Sequence, residues 1–150
     1  MGEGPFKWKI KEIIKTKNLE DHVYLLGKVD DKTLKLLYHA SDLFVMPNIH
    51  VEGDMEGFGI VALEATSCEL TVVASNLEGI KDAIIEGENG FLVEPYDAEG
   101  YLAVILRLLE DDEKREEFGK KAGEFTHQQY NWCVISERYD KEFEKVLLGE

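Results

Sequence analysis

The sequence predicts an α/β fold, a short parallel sheet flanked by helices, on three observations. Four short apolar runs, Val23–Leu26, Leu43–Met46, Leu70–Ala74 and Phe91–Val93, are bounded by glycine, proline or polar turns. Between and after them lie longer stretches whose apolar residues recur at helical spacing. The third observation is the segment after Leu43–Met46. There the chain crosses a polar, acidic loop and enters a helix opened by Gly57-Phe58-Gly59. In an open α/β sheet, ligands bind at the carboxyl ends of strands, where such loops and helix N-termini converge.

The 150 residues suffice for one domain with its own core, and a hydrophobic content of 44% is ordinary for a globular protein. No apolar run approaches the ~18 residues of a membrane span, and no charged-then-apolar leader opens the chain. Cys68 and Cys133 form neither a disulfide framework nor a metal-ligand cluster, so a reduced, cytoplasmic setting is expected. A net charge of −14 argues against nucleic acid and against electrostatic docking on anionic lipid.

Phe6, Ile10, Ile13 and Ile14 recur at helical spacing among Lys7, Lys9, Lys11, Lys15 and Lys17, a basic cluster best read as a solvated helix face. Val23–Leu26 is the first expected strand, ended by Gly27. Asp30 or Asp31 is placed to cap the next helix, whose buried stripe is Leu34, Leu37 and Tyr38. Leu43–Met46, stopped by Pro47, reads as a buried parallel strand. Leu70–Ala74 carries β-branched Thr71, Val72 and Val73, as strands do. A short helix, Ile80 to Ile85, a turn at Gly87-Glu88-Asn89-Gly90 and a strand at Phe91–Val93 follow, and Pro95 ends that strand. From about residue 98 the chain is helical. Leu102, Ile105, Leu106 and Leu109 make one expected stripe, and Glu110 to Glu113 a solvated break that caps the next helix. Phe118, Ala122 and Phe125 continue the pattern. The last helix starts at Tyr130-Asn131-Trp132, and Ile135, Tyr139, Phe143 and Val146 are its expected packing positions.

The chemistry gathers between Pro47 and Ser67. Without side chains, Gly57 and Gly59 let the backbone approach a ligand and adopt angles that other residues avoid. The first N–H groups of a helix lack intrahelical partners and carry partial positive charge, which suits a phosphate. Glu64 is a lone carboxylate in the apolar run Ile60 to Ala65, and Glu56 lies just before the helix. Sugar or ribose hydroxyls would suit a buried Glu64, whereas a solvated Glu64 beside glycines that merely turn the chain is an equally good reading of the spacing alone. His22, His39, His50 and His127 are scattered without metal spacing. Glu52, Asp54 and Glu56 alternate in the loop but lack the ligand spacing and glycine of a calcium loop. There is no nucleophile elbow, Walker loop or dinucleotide fingerprint, so no cofactor is expected.

The segment Glu56-Gly57-Phe58-Gly59-Ile60-Val61-Ala62-Leu63-Glu64-Ala65 resembles the glutamate–seven–glutamate segment of the retaining family 4 (group 1) glycosyltransferases. Its neighbours match in order: Gly27 after a strand, Tyr38 to Pro47, Val72-Val73-Ala74-Ser75, Glu78-Gly79-Ile80, Gly87 to Val93 and a late Trp132. Two positions depart from the pattern. Glu69 stands where the family has glycine and Thr71 where it has proline. A left-handed backbone at Glu69 would cost roughly 1 kcal/mol.

The resemblance implies the later part of the C-terminal, Rossmann-like domain of a GT-B enzyme, spanning residues 1–150 with its closing helices from about 98. It implies that Glu56 meets the donor sugar, that Glu64 holds the ribose, and that the backbone of Gly57, Phe58, Gly59 and Ile60 holds the diphosphate. The partner would be a UDP- or GDP-sugar, bound without metal for retaining transfer. The family's diphosphate-neutralising arginine and lysine, its catalytic histidine and its acceptor site belong to parts of the fold before Gly2. The fragment is therefore expected to be inactive alone, and any peripheral membrane association to reside in the missing half. Alternatives are a non-catalytic nucleotide-sugar-binding or assembly module and a related nucleotide-sugar epimerase. By the family's strand order, 3-2-1-4-5-6, Val23–Leu26 would be the third strand. It is expected to slide in beside Leu43–Met46 and close a four-stranded sheet.

Overall fold

The computed structural model describes Gly4, residues 6–51, Gly53, and residues 57–77 and 79–148. It divides into two units, residues 1–37 and 38–150. In the first, α1 (Lys7–Thr16) forms where the lysine-rich helical pattern predicts it. It ends at Asn18, whose left-handed backbone (φ 52°) turns the chain so that the Leu19 N–H reaches the Ile14 carbonyl. The helix α2 (Asp31–Ala40) starts in this unit, and its last turn, from Tyr38, belongs to the second. Asp30 rather than Asp31 is its cap: Oδ1 accepts the Thr33 N–H at 2.7 Å, which holds the carboxyl below its usual range.

Val23–Leu26 is not a strand, and no ladder among the described residues includes it. Its side chains are exposed, Tyr24 most of all. The expected four-stranded closure therefore does not occur. Apolar, β-prone residues become a strand only when a neighbouring strand pairs with them and their side chains are covered; here the Val23 N–H goes to the Leu19 carbonyl of the preceding turn and the side chains are exposed.

The second unit holds a parallel sheet in the order β1 (Leu43–Met46), β2 (Thr71–Ser75), β3 (Phe91–Val93). Leu43 is opposite Thr71, and Val73 is opposite Phe91. The other elements are α3 (Ile60–Ser67), α4 (Ile80–Ala83), α5 (Ala98–Leu109), α6 (Asp112–Tyr130) and α7 (Trp132–Leu148). β2 begins and ends one residue later than the apolar pattern suggests, and α4 stops two residues earlier. All five residues of β2 are buried, as a central strand covered on both faces requires. Its polar ends are satisfied: the Thr71 hydroxyl donates to the Arg115 carbonyl, and the Ser75 hydroxyl is bonded at the other end of the strand.

On one face, Val73 and Val93 pack with Tyr101 and Leu108 of α5, supported by Leu43, Phe91, Val104 and Ile105. The stripe expected at Leu102, Ile105, Leu106 and Leu109 is thus displaced. Leu102, Leu106 and Leu109 are exposed, and the buried face is Tyr101, Val104, Ile105 and Leu108. The helix is apolar on more than one side, and the side that faces the sheet is the one whose Tyr101 hydroxyl bonds Ser75 at 2.8 Å.

The helix α6 starts at the cap Asp111, which accepts the Lys114 N–H. Phe118 stacks on Phe91, Ala122 is buried, and α6 runs hard against the end of α3. A Cβ at Gly119 would collide with the Glu69 carbonyl, and one at Gly123 would stand 3.1 Å from that of Thr66. Glu69 does adopt the left-handed conformation, φ 61°, at the position of the family's glycine. The apolar positions of α7 are not packed as expected. It has no buried residue, Val134 and Ile135 are half-buried, and Trp132, Tyr139, Phe143 and Val146 are exposed. No helix of the described residues is long and apolar enough to cross a membrane.

Candidate functional site

The carboxyl ends of β1, β2 and β3 are tied together by side chains that the apolar pattern does not reveal. Ser75, fully buried at the end of β2, donates to the Asn48 carbonyl at 2.5 Å, fixing the first residues of the loop that leaves β1. Tyr101 reaches the same hydroxyl from α5 and bonds the Met46 carbonyl at 3.3 Å. Burial raises the Tyr101 phenol, so it remains a donor at neutral pH. Farther out, the Tyr96 hydroxyl donates to the His50 carbonyl at 3.1 Å, with Tyr96 itself left-handed at φ 68°.

The loop delivers the chain to α3. Gly59 is its N-cap, at φ 73° and ψ 34°, a conformation that penalises any residue with a Cβ. A Cβ there would find only ordinary contacts, at 3.6 Å from Ile80, so backbone angle rather than space calls for glycine. Among the described residues, no side chain caps the helix. The Gly59 carbonyl accepts from Ala62 and Leu63, which leaves the Ile60 and Val61 N–H groups at the open end of α3. Gly57 has nothing within 4 Å of a built Cβ. Phe58 is half exposed, its ring edge-on to Tyr130 at 6.1 Å, and Ile60 is exposed. The glycine-opened turn therefore presents bare backbone at the carboxyl end of β1.

Glu64 lies one turn along, on the same side of α3 as Ile60. It is exposed rather than buried, so the cost of an unpartnered interior carboxylate does not arise. Its Oε2 is 3.4 Å from the hydroxyl of Tyr38, a buried residue that the sequence marks as part of an apolar stripe and of the family-like segment from Tyr38 to Pro47. The same hydroxyl lies 3.4 Å from the Val61 carbonyl. Desolvation, with Glu64 adding to it, pushes the Tyr38 phenol up to about 12. Glu56 lies outside the described residues. Gly57, Phe58, Gly59, Ile60 and Glu64 are thus brought to one turn and the helix that it opens.

A polar cleft of about 360 Å³ lies at the opposite end of the strands, between Asp42, Thr71, Glu116 and Lys120. Its arginine, Arg115, is committed to structure: it donates to Asp42 at 2.9 Å, to Asp112 and to the Leu108 carbonyl.

The Glycosyl transferases group 1 family matches residues 1–125. The chain belongs to that family. It is 36% identical over 129 residues to a phosphatidyl-myo-inositol mannosyltransferase of Mycolicibacterium smegmatis, covering 86% of this chain and 32% of that protein. Among solved structures, a sucrose-phosphate synthase from Thermosynechococcus elongatus superposes with a TM-score of 0.80 at 28% identity, covering 99% of this chain and 38% of the other. HepE of Anabaena, solved with UDP and glucose, superposes with a TM-score of 0.76 at 26% identity, covering 92% and 36%. The group 1 chain described here spans about a third of the length of such relatives. These are GT-B glycosyltransferases, which agrees with the parallel sheet and flanking helices of the second unit.

Proposed function

We propose that this group 1 chain binds the nucleotide-sugar donor for retaining glycosyl transfer from a UDP- or GDP-sugar to an acceptor. It would act as the later part of a C-terminal donor domain, with closing helices from about residue 98. The observation that carries the reading is the β1–α3 junction. A helix end without a side-chain cap among the described residues, opened by left-handed Gly59, offers backbone N–H groups with a carboxylate one turn away. A diphosphate fits the amides of Gly57 to Ile60, ribose hydroxyls fit Glu64, and Glu56 would take the sugar. HepE, at similar fold and 26% identity, was solved with UDP and glucose, which supports the nucleotide class.

Catalysis in the whole enzyme would follow from stabilising charge on the departing diphosphate, without a metal ion, in the cytoplasm. The helix end supplies part of that stabilisation. The family's basic pair and acceptor site would come from the remainder of the protein, so this chain alone is proposed not to turn over.

Calorimetry with UDP and UDP-glucose separates the roles. Glu64→Ala should weaken both ligands by about tenfold, the loss of a charge-assisted hydrogen bond. Glu56→Ala should weaken UDP-glucose and leave UDP unchanged. Equal loss of both ligands in Glu56→Ala, or none in Glu64→Ala, contradicts the assignment.

A further inference from the structure

Glu64 is an exposed glutamate on a helix, with three side-chain torsions free to turn in water. A ligand that needs its carboxylate in one place must bear the entropy of stopping that motion. The structure contains a device that reduces this cost. Tyr38 is 6% exposed, and its ring packs edge-on against Phe44 of β1 with centroids 5.8 Å apart. The ring is therefore anchored to the sheet, and the hydroxyl reaches across to α3. The hydroxyl sits between two acceptors one turn apart on α3, the Val61 carbonyl and Glu64 Oε2, at 3.4 Å from each.

Resting on the donor-site reading above, we infer that Tyr38 is a positioning residue: its hydroxyl holds Oε2 of Glu64 and leaves Oε1 turned out for the ribose hydroxyls. The geometry supplies a division of labour within one carboxylate. One oxygen accepts from the buried phenol, and the other stays free to accept from a ligand. With its ionisation displaced to about 12, the phenol is a donor throughout the neutral range. The hydroxyl has one proton to donate, and the Val61 carbonyl is its alternative acceptor when Glu64 is engaged elsewhere. The aromatic contact and the hydroxyl contact are separable, because phenylalanine keeps the first and removes the second.

The test compares UDP with 2′,3′-dideoxyuridine diphosphate, which lacks both ribose hydroxyls, on the 150-residue chain. Wild type should prefer UDP, and Glu64→Ala should abolish the preference. Tyr38→Phe should reduce it by about three- to tenfold, the range of one net hydrogen bond, and leave the dideoxy ligand's affinity unchanged. In a Glu64→Ala background, Tyr38→Phe should have no further effect. A merely structural Tyr38 would weaken both ligands in both backgrounds.

Should Tyr38→Phe fold poorly, the contact is read on Glu64→Ala, a surface change. The Tyr38 Cζ resonance, which reports hydroxyl hydrogen bonding, should move, and an unmoved resonance overturns the inference. If Glu64→Ala abolishes the ribose preference while Tyr38→Phe preserves it in full, the inference fails alone. If Glu64→Ala leaves the preference intact, the donor-site reading fails and takes the inference with it.

Discussion

Gly59 does two things at one position: its φ of 73° ends the loop, and its lack of a side chain supplies no cap to the first amides of α3, the groups proposed to meet the diphosphate. Gly59→Ala should cost about 1 kcal/mol through backbone strain alone, since the space beside Ile80 is ordinary. Denaturant unfolding measures it, and an unchanged midpoint would contradict the left-handed geometry. Ser75 makes a comparable case in the interior. Ser75→Ala leaves the Asn48 carbonyl without its donor and removes a bond from Tyr101, so a loss of about 1–3 kcal/mol is expected on thermal unfolding. At this scale the sequence was readable where a residue type has one physical use. Gly57 and Gly59 announce bare backbone. Tyr38, Ser75 and Tyr101 do not announce their hydroxyl partners, because those partners lie 23 or more residues away.

At the scale of elements, caps were partly legible and rotations were not. The Asp30 side chain ends in the predicted bond, and the acidic break before α6 supplies Asp111. The side chain and the backbone N–H of Lys114 both hold the Asp111 carboxyl below its ordinary value. Its folded form therefore binds protons less readily than its unfolded form. The cap's contribution is present above the unfolded value near 3.8 and is lost as pH falls through the lower folded one. Asp111→Ala should accordingly destabilise the protein at neutral pH, and the difference from wild type should vanish in strong acid. A difference that persists unchanged at pH 2 would contradict this.

Helix α5 shows why a stripe can be misread. Leu102, Leu106 and Leu109 match the periodicity as well as Val104 and Leu108 do, and the face that is buried is the one whose Tyr101 packs on Val73 and Val93 and bonds Ser75, contacts outside the helix. Glu69 is the opposite case. Its departure from the family glycine was visible in sequence, and the backbone did become left-handed. Relieving it by Glu69→Gly should stabilise the chain by up to about 1 kcal/mol.

For the whole molecule, the fold class followed from apolar runs and their stops, and the order of β1, β2 and β3 from the family resemblance; each of those strands finds its neighbour within the chain. Val23–Leu26 looked the same in sequence and became no strand, since strand formation is a property of pairs. The apolar face of α7, with Trp132, Tyr139, Phe143 and Val146 exposed, is likewise a surface whose burial depends on more than its own periodicity. The purified chain is expected to self-associate as concentration rises, through this face or the β1 edge. Light scattering that shows a monodisperse monomer at high concentration would contradict that expectation.

The central claim, that the turn between β1 and α3 is the donor diphosphate site, is tested most directly by an amide-shift titration of the chain with UDP. The account predicts weak, saturable shifts at millimolar ligand, concentrated on Gly57, Gly59, Ile60 and Val61 and extending to Glu64. Amides there that stay unmoved while UDP shifts residues elsewhere, such as the cleft around Arg115 and Lys120, would contradict it.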